Sequence, residues 1–262
     1  MLTKIITAFL LFLSPAILCA EGSFDSQPIH VGLIDSQPWA SLNDKGLPIG
    51  IYPDLLESIS LSLPVDIQFK MQVMPLKRII KEMKSTKSPL SLTFMSYKPK
   101  RALKMTPAVV LYRTPFVLLS RANNPITKLN DIKNRDIAML LGGSGCPCLG
   151  ESIPFHRVRL NHHSQGLKML ERGRVDAVAG PSIRLYGLAE QLGMTHILAP
   201  NLVYEWRTVW MWESKTNKGA EAIIPAIQER LRQLLYEGEL ARLSSKYLHP
   251  SQVQFIHAID NE

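Results

Sequence analysis

The sequence predicts an α/β protein built as two lobes, on three observations. Strands alternate with helices from residue 29 to about residue 95, the alternation restarts near residue 116, and the two stretches share no residue pattern that would mark a repeat. Strand–helix alternation argues for parallel sheets covered by helices on both faces. Without its first twenty residues the chain keeps ~240 residues, enough for one large domain or two small ones.

The first lobe opens with the strand Ile29-His30-Val31-Gly32-Leu33-Ile34, and a polar loop with Gln37-Pro38-Trp39 follows. Gly46 and Gly50 turn the chain into a helix over Asp54 to Leu61, with Pro53 in a first turn where a missing N–H does no harm. Val65 to Val73 alternates as a second strand. Pro75 opens a helix with Leu76, Ile79, Ile80 and Met83 at helical spacing, and Leu90 to Met95 is a third strand. In the second lobe, Phe116 to Ser120 and Asp136 to Leu141 read as strands. Ser164 is suited to cap a helix to Glu171, and Gly173 stops it. A strand Val175 to Ala179, a helix Ile183 to Leu192 and an apolar strand Thr208 to Trp212 come next. Helices over Ala220 to Tyr236 and Leu240 to Tyr247 finish the chain.

The first twenty residues read as a cleavable signal peptide: Lys4, the apolar run Ile5 to Leu13, and small residues around Cys19-Ala20. The alternative, a membrane anchor, needs ~20 apolar residues, and this run is shorter and broken by Pro15. Cleavage after Ala20 removes Lys4 and no acid, taking the net charge from +8 to +7. Such a balance favours acidic partners at long range. Nucleic acid is not among the partners expected, because the Lys and Arg are dispersed, without interleaved aromatics.

Five segments, in order along nearly the whole mature chain, resemble the type 2 periplasmic solute-binding proteins (extracellular solute-binding proteins of family 3), in particular the polar amino-acid receptors. Gly50-Ile51-Tyr52-Pro53-Asp54-Leu55 resembles that family's entry to its first helix, and Lys98-Pro99-Lys100-Arg101 stands where it carries threonine-proline-glutamate-arginine. Leu129 to Ala138 resembles its approach to the second lobe's strand, and Gly173-Arg174-Val175-Asp176-Ala177-Val178 matches "G-R-V-D-A-V". Glu237 to Leu243 with Lys246-Tyr247 resembles its closing helix. The resemblance implies the bilobal type II periplasmic-binding-protein fold, with a ligand cleft between the lobes and hinge strands joining them. Lobe 1 is then residues 27–113 plus 213–262 and lobe 2 is residues 114–212. It further implies a monomer in the periplasm that binds a small molecule, catalyses nothing, needs no cofactor, and serves an ABC transporter permease or a membrane sensor.

By the same resemblance Arg101 grips a ligand carboxylate, where a planar guanidinium offers two parallel donors; the alternative is an exposed arginine on a basic surface with Lys98, Lys100 and Lys104. Trp39 is either a flat platform for the ligand or a core tryptophan. Gly142-Gly143-Ser144-Gly145 follows a strand and precedes a helix start, so free backbone N–H groups there suit an anion. Tyr97, Lys98, Arg78 and Ser182 complete the candidates, with Arg78 equally suited to an ion pair on a solvated helix. The family's acidic residue for an α-ammonium has Pro181 in its place, and Lys98 replaces a hydroxyl. A cationic pocket without that acceptor disfavours ordinary amino acids unless Asp35 or Glu205 substitutes, and points to an anionic or polar solute.

Cys146-Pro147-Cys148 holds the only cysteines left after processing. A bridge two residues apart is tight and reducible. It reads as a local staple, as a redox-active or ligand-touching pair, or as a soft-metal site with His156, His162 or His163. Hence the competing function is a thiol-redox or copper-handling periplasmic protein. No nucleophile elbow, zinc-protease helix or nucleotide-binding glycine pattern accompanies it.

Overall fold

The computed structural model describes residues 28–63, 68–141, 153–216 and 222–248. The mixed α/β architecture expected from the alternation is present. Lobe 1 begins with β1 (Ile29–Ile34), a short hairpin of β2 (Ser41–Leu42) and β3 (Pro48–Ile49), and helix α1 (Ile51–Ser62). Then come β4 (Phe69–Met74), α2 (Leu76–Glu82), β5 (Leu90–Ser96), a single turn α3 (Pro99–Ala102) and the long strand β6 (Met105–Ser120). Lobe 2 holds β7 (Asp136–Leu140), β8 (His156–Leu160), α4 (His163–Glu171), β9 (Ala177–Pro181) and α5 (Ser182–Gln191). β10 (Leu202–Ser214) returns to lobe 1, where α6 (Ile224–Tyr236) and α7 (Glu239–Tyr247) close the described chain.

The main sheet has the order β4-β1-β5-β10-β6-β9-β7-β8. Its two ends are parallel: β4, β1 and β5 in lobe 1, β9, β7 and β8 in lobe 2. Parallel neighbours need crossovers, and these supply the helices that cover the faces. In lobe 1, α1, α6 and α7 bury Leu55, Ile59, Ile227, Leu231 and Leu243 on one face, while Ile79 and Met83 of the α2 region seal the other.

The antiparallel centre, β6 with β10, joins the lobes. Val109, Leu111 and Tyr112 of β6 belong to the lobe 1 core, whereas Val117 to Leu119 belong to the lobe 2 cores. On β10, Val209 and Met211 face lobe 1, and Leu202 and Tyr204 pack against lobe 2. The seam therefore runs through Arg113 to Phe116 and Glu205 to Arg207, where Arg207 pairs with Thr114 and Glu205 with Phe116. Register shifts at Val203/Glu205 and Val209/Trp210 bracket this stretch, and such irregularities re-aim side chains.

β6 runs eleven residues further towards the N-terminus than the apolar pattern indicates, since that pattern shows only Phe116 to Ser120. Pro107 and Pro115 hide the rest in sequence. Both are tolerated because β9 pairs only with residues 116–120, leaving the other edge of β6 open where a proline has no N–H to offer. β8 is absent from the sequence reading because its His156, Arg157 and Arg159 are exposed and leave no apolar alternation. α4 begins at His163 with His162 before it and no side-chain cap, rather than being capped by Ser164. Among the described residues no helix is long and apolar enough to cross a membrane.

Candidate functional site

The seam strands and the strand ends of both lobes enclose a cavity of about 140 Å³. Its lobe 1 wall is aromatic, and one glycine makes that wall possible. The first N–H groups of α1 turn back on the preceding loop, Ile51 N donating to Pro38 O (3.1 Å) and Tyr52 N to Trp39 O (2.9 Å). Gly50 sits between them at φ 127°, and a Cβ there would lie 2.7 Å from Pro38 O and 2.8 Å from Trp39 O. With the loop drawn in this far, Trp39 stacks on Tyr52 (5.2 Å between centroids) and on Tyr112 (4.8 Å). The two phenol oxygens are 2.9 Å apart, so both phenols lie on one face of the indole. Tyr52 also stacks on Phe94 at 4.6 Å. Burial raises both tyrosines well above the ordinary phenol range, so they stay neutral. Trp39 is 7% exposed and belongs to the core while lining the cavity, so the two readings of this residue meet in one position.

Three cations line the same cavity: Lys98, Arg101 and Arg207. Pro99 starts α3 directly after β5, and this turn folds Arg101 back until Nη1 donates to Ser96 O at 2.5 Å. Arg101 is 6% exposed and has no carboxylate partner among the described residues. Burial, and then Arg207, lower its pKa to about 10, which leaves it charged at neutral pH. Lys98 feels burial first, then Arg207 and Arg101, and is lowered to about 7 despite the opposing pull of Glu205. Arg207 donates from Nε to Glu205 Oε2 at 2.6 Å, and its Nη2 pairs with the same oxygen. Its guanidinium carbon lies 3.9 Å from the Phe116 ring centre, a cation–π contact. Glu205 is paired with Arg207, and no acidic residue lines the cavity among the described residues.

Lobe 2 contributes Met139, Gly180, Pro181, Ile183 and His163 to the lining. His163 packs where a Cβ on Gly180 would be 2.7 Å from its Nε2. Burial, then Arg184 and His162, lower its pKa to about 4, so it is neutral. The lobes also touch directly. Arg184 Nη1 donates to Gln37 O at 2.7 Å, and Ile183 of α5, 1% exposed, is packed into the lobe 1 core. Gln37 and Arg184 line a second, larger opening of about 580 Å³ towards Lys246 and Tyr247. The smaller cavity holds the buried charges and the aromatic wall, and is the candidate site.

Arg101, Lys98 and Trp39 are therefore brought together at the cavity. Tyr97 is not: it is 39% exposed and lies 5.7 Å from Trp212, stacked on it. Arg78 is also elsewhere, on the solvent side of α2 in a 3.8 Å ion pair with Glu82. Ser182 is fully buried at the first position of α5, with no partner for its hydroxyl, and does not line the cavity. Gly143, Ser144, Gly145, Cys146 and Cys148 lie outside the described residues. Of the two substitutes for an ammonium acceptor, Asp35 is exposed near Arg184 and Glu205 is committed to Arg207. Sequence reasoning missed Arg207, Tyr52 and Tyr112, and named His163 only as a soft-metal ligand. A lone arginine inside Trp206-Arg207-Thr208-Val209-Trp210 was the available signal, since a charge in an otherwise aromatic and apolar strand needs a partner. Among the described residues, no group of three His, Cys, Asp or Glu side chains is placed to hold a metal ion.

The family model "Bacterial extracellular solute-binding proteins, family 3" matches residues 29–250. Solved structures with the same fold include a mutant of ArgBP from T. maritima, 19% identical over 84% of this chain and 94% of that chain, TM-score 0.69. An ancestral arginine-binding protein bound to arginine is 16% identical over 85% and 98% of the respective chains, TM-score 0.71. A histidine kinase sensor domain with similarity to periplasmic binding proteins is 15% identical over 89% and 99%, TM-score 0.71. At these identities the likeness establishes the bilobal fold alone. Among curated proteins, no sequence match was found.

Proposed function

Because this chain belongs to the bacterial extracellular solute-binding proteins of family 3, whose members bind small molecules outside the cytoplasm, we propose that it captures an anionic or amino-acid-like solute between its lobes. It then presents the solute to an ABC importer or a membrane sensor. The carrying observation is the meeting of Arg101, Arg207 and Lys98 around one cavity whose lining holds no carboxylate among the described residues, with Glu205 paired to Arg207. Like charges gathered in a poorly solvated place repel one another, and an anion placed among them removes that cost. Arg101 comes from lobe 1 and Arg207 from the seam, so an anion held by both, and covered by α5 of lobe 2, favours the closed arrangement. The importer and the sensor roles use the same closure, and solved structures with this fold include the substrate binding protein of an amino acid ABC transporter and a histidine kinase sensor domain.

Family and neighbours are binding proteins rather than enzymes, and nothing in them favours the thiol-redox or copper-handling alternative. Micromolar capture corresponds to ~8 kcal/mol, within reach of two charge-assisted contacts and burial of an apolar body.

A thermal-shift screen across organic acids, phosphorylated solutes, amino acids and polyamines tests the reading, because a ligand selective for the folded form raises the melting temperature. Anions should raise it and polyamines should not, and Arg101→Gln should abolish the response. A panel without any responding anion, or a response untouched in Arg101→Gln, would sink it.

A further inference from the structure

We infer that the solute of this cleft is a carboxylate that carries an apolar or aromatic body and no ammonium group. The inference rests on the receptor reading above and narrows it to one ligand class. Both ends of the cavity support it independently.

At the polar end, every charged side chain lining the space among the described residues is a base. Glu205 is not part of the lining, and its Oε2 is engaged by both Nε and Nη2 of Arg207. Asp35 is exposed beside Arg184 and is likewise not part of the lining. Pro181 presents neither a charge nor an N–H where α5 begins. Thr114, opposite Arg207 on β6, is 3% exposed and its hydroxyl has no hydrogen-bond partner among the described residues although it lines the cavity. A buried hydroxyl left without a partner is costly, and a carboxylate oxygen would accept from it. An ammonium brought here meets three bases and no carboxylate among the described residues. It would lose its hydration without gaining a counter-charge.

At the other end, Trp39, Tyr52, Phe94 and Tyr112 form one packed aromatic wall, and the two tyrosine hydroxyls hydrogen-bond to each other. That wall offers mainly apolar area, and the hydrogen bond between its two phenols uses one of their two O–H donors. A cavity of about 140 Å³ restricts the body to a small one.

The experiment compares pairs differing only in the α-ammonium: 3-phenylpropionate against L-phenylalanine, and 4-methylpentanoate against L-leucine. Binding of each to the mature protein is measured by calorimetry at pH 6.5. The carboxylate of at least one pair should bind at least about tenfold more tightly than its amino acid, the least expected for an unpaired buried charge. Pro181→Asp, which supplies a carboxylate at the cavity and a residue suited to a helix start, should narrow or reverse the gap. Amino acids binding as tightly as their partners to the unmodified protein would overturn the inference and leave the receptor reading standing. So would a response to sulfate or phosphate with none to either carboxylate. If no anion of any kind bound, both readings would fall.

Discussion

Closure is the property that makes a two-lobed receptor, and the Arg184–Gln37 contact allows it to be probed without touching the ligand. Arg184 Nη1 reaches Gln37 O at 2.7 Å, across the gap between α5 and the loop after β1, and Arg184 does not line the ligand cavity. Burial lowers the Arg184 pKa, and the nearby Asp35 opposes that shift, so the guanidinium stays charged and its bond is charge-assisted. A hydrogen bond to a charged group contributes ~1.5–3 kcal/mol, and partial exposure argues for the low end, about 1–1.5 kcal/mol. If the bond exists only in the closed state, Arg184→Met removes that amount from closure alone. Ligand affinity should then fall roughly 5–12-fold with every ligand contact intact. The ligand-free protein should keep its melting temperature within about 2 °C, as for a surface change. Calorimetry gives the affinity, and small-angle scattering of free and saturated protein gives the compaction. An unchanged dissociation constant in Arg184→Met, or equal radii of gyration for free and saturated protein, would refute the reasoning.

Further outcomes follow from the same geometry. Lys98 is lowered to about 7 by burial, then by Arg207 and Arg101, and a bound anion pulls it back up. Anion affinity should therefore fall as pH rises from 6 to 8.5, approaching tenfold per unit above 7 if only the ammonium form binds, and Lys98→Met should flatten the profile. The sign for folding is the reverse: the unfolded chain binds more protons between about 7 and the ordinary lysine range, so Lys98 makes ligand-free stability rise with pH across that window. A flat affinity profile in the unmodified protein would contradict the placement of Lys98. Glu205→Gln strips Arg207 of its counter-charge; with side-chain exposures of 5% for Arg207 and 28% for Glu205, the loss is about 2–3 kcal/mol. That variant should melt several degrees lower yet gain more from an anionic ligand than the parent, and an unchanged melting temperature would count against it. Gly50→Ala places a Cβ 2.7 Å from Pro38 O at φ 127° and should cost about 2–4 kcal/mol, or roughly 5–15 °C. A drop under 2 °C would show that the loop holding Trp39 can retreat.

Local chemistry explains which elements were legible beforehand. β1, β5, α5 and α7 are short-range objects: apolar runs of strand length, or apolar residues at helical spacing, with Gly or Pro at their ends. β6 and β8 were not, for opposite reasons. Two prolines interrupt β6, and they are harmless only because its outer edge is unpaired there. β8 is a charged strand on the sheet's edge, whose pairing with β7 depends on backbone hydrogen bonds that no side-chain pattern reports.

The candidate site divides the same way. Lys98 and Arg101 stand in one local segment whose resemblance could be seen in sequence, and Gly50 marked the turn that draws in Trp39. Arg207 stands more than a hundred residues further on, and its meeting with Arg101 is a consequence of β10 pairing with both β5 and β6. Tyr52 and Tyr112 share a hydrogen bond across sixty residues of chain. The order of residues determined that this chain would alternate strands and helices in two lobes and would carry a basic segment after β5. Which charges stand together, and that Glu205 pairs with Arg207, was decided by tertiary packing, because Coulomb forces and desolvation act through space and take no account of sequence distance.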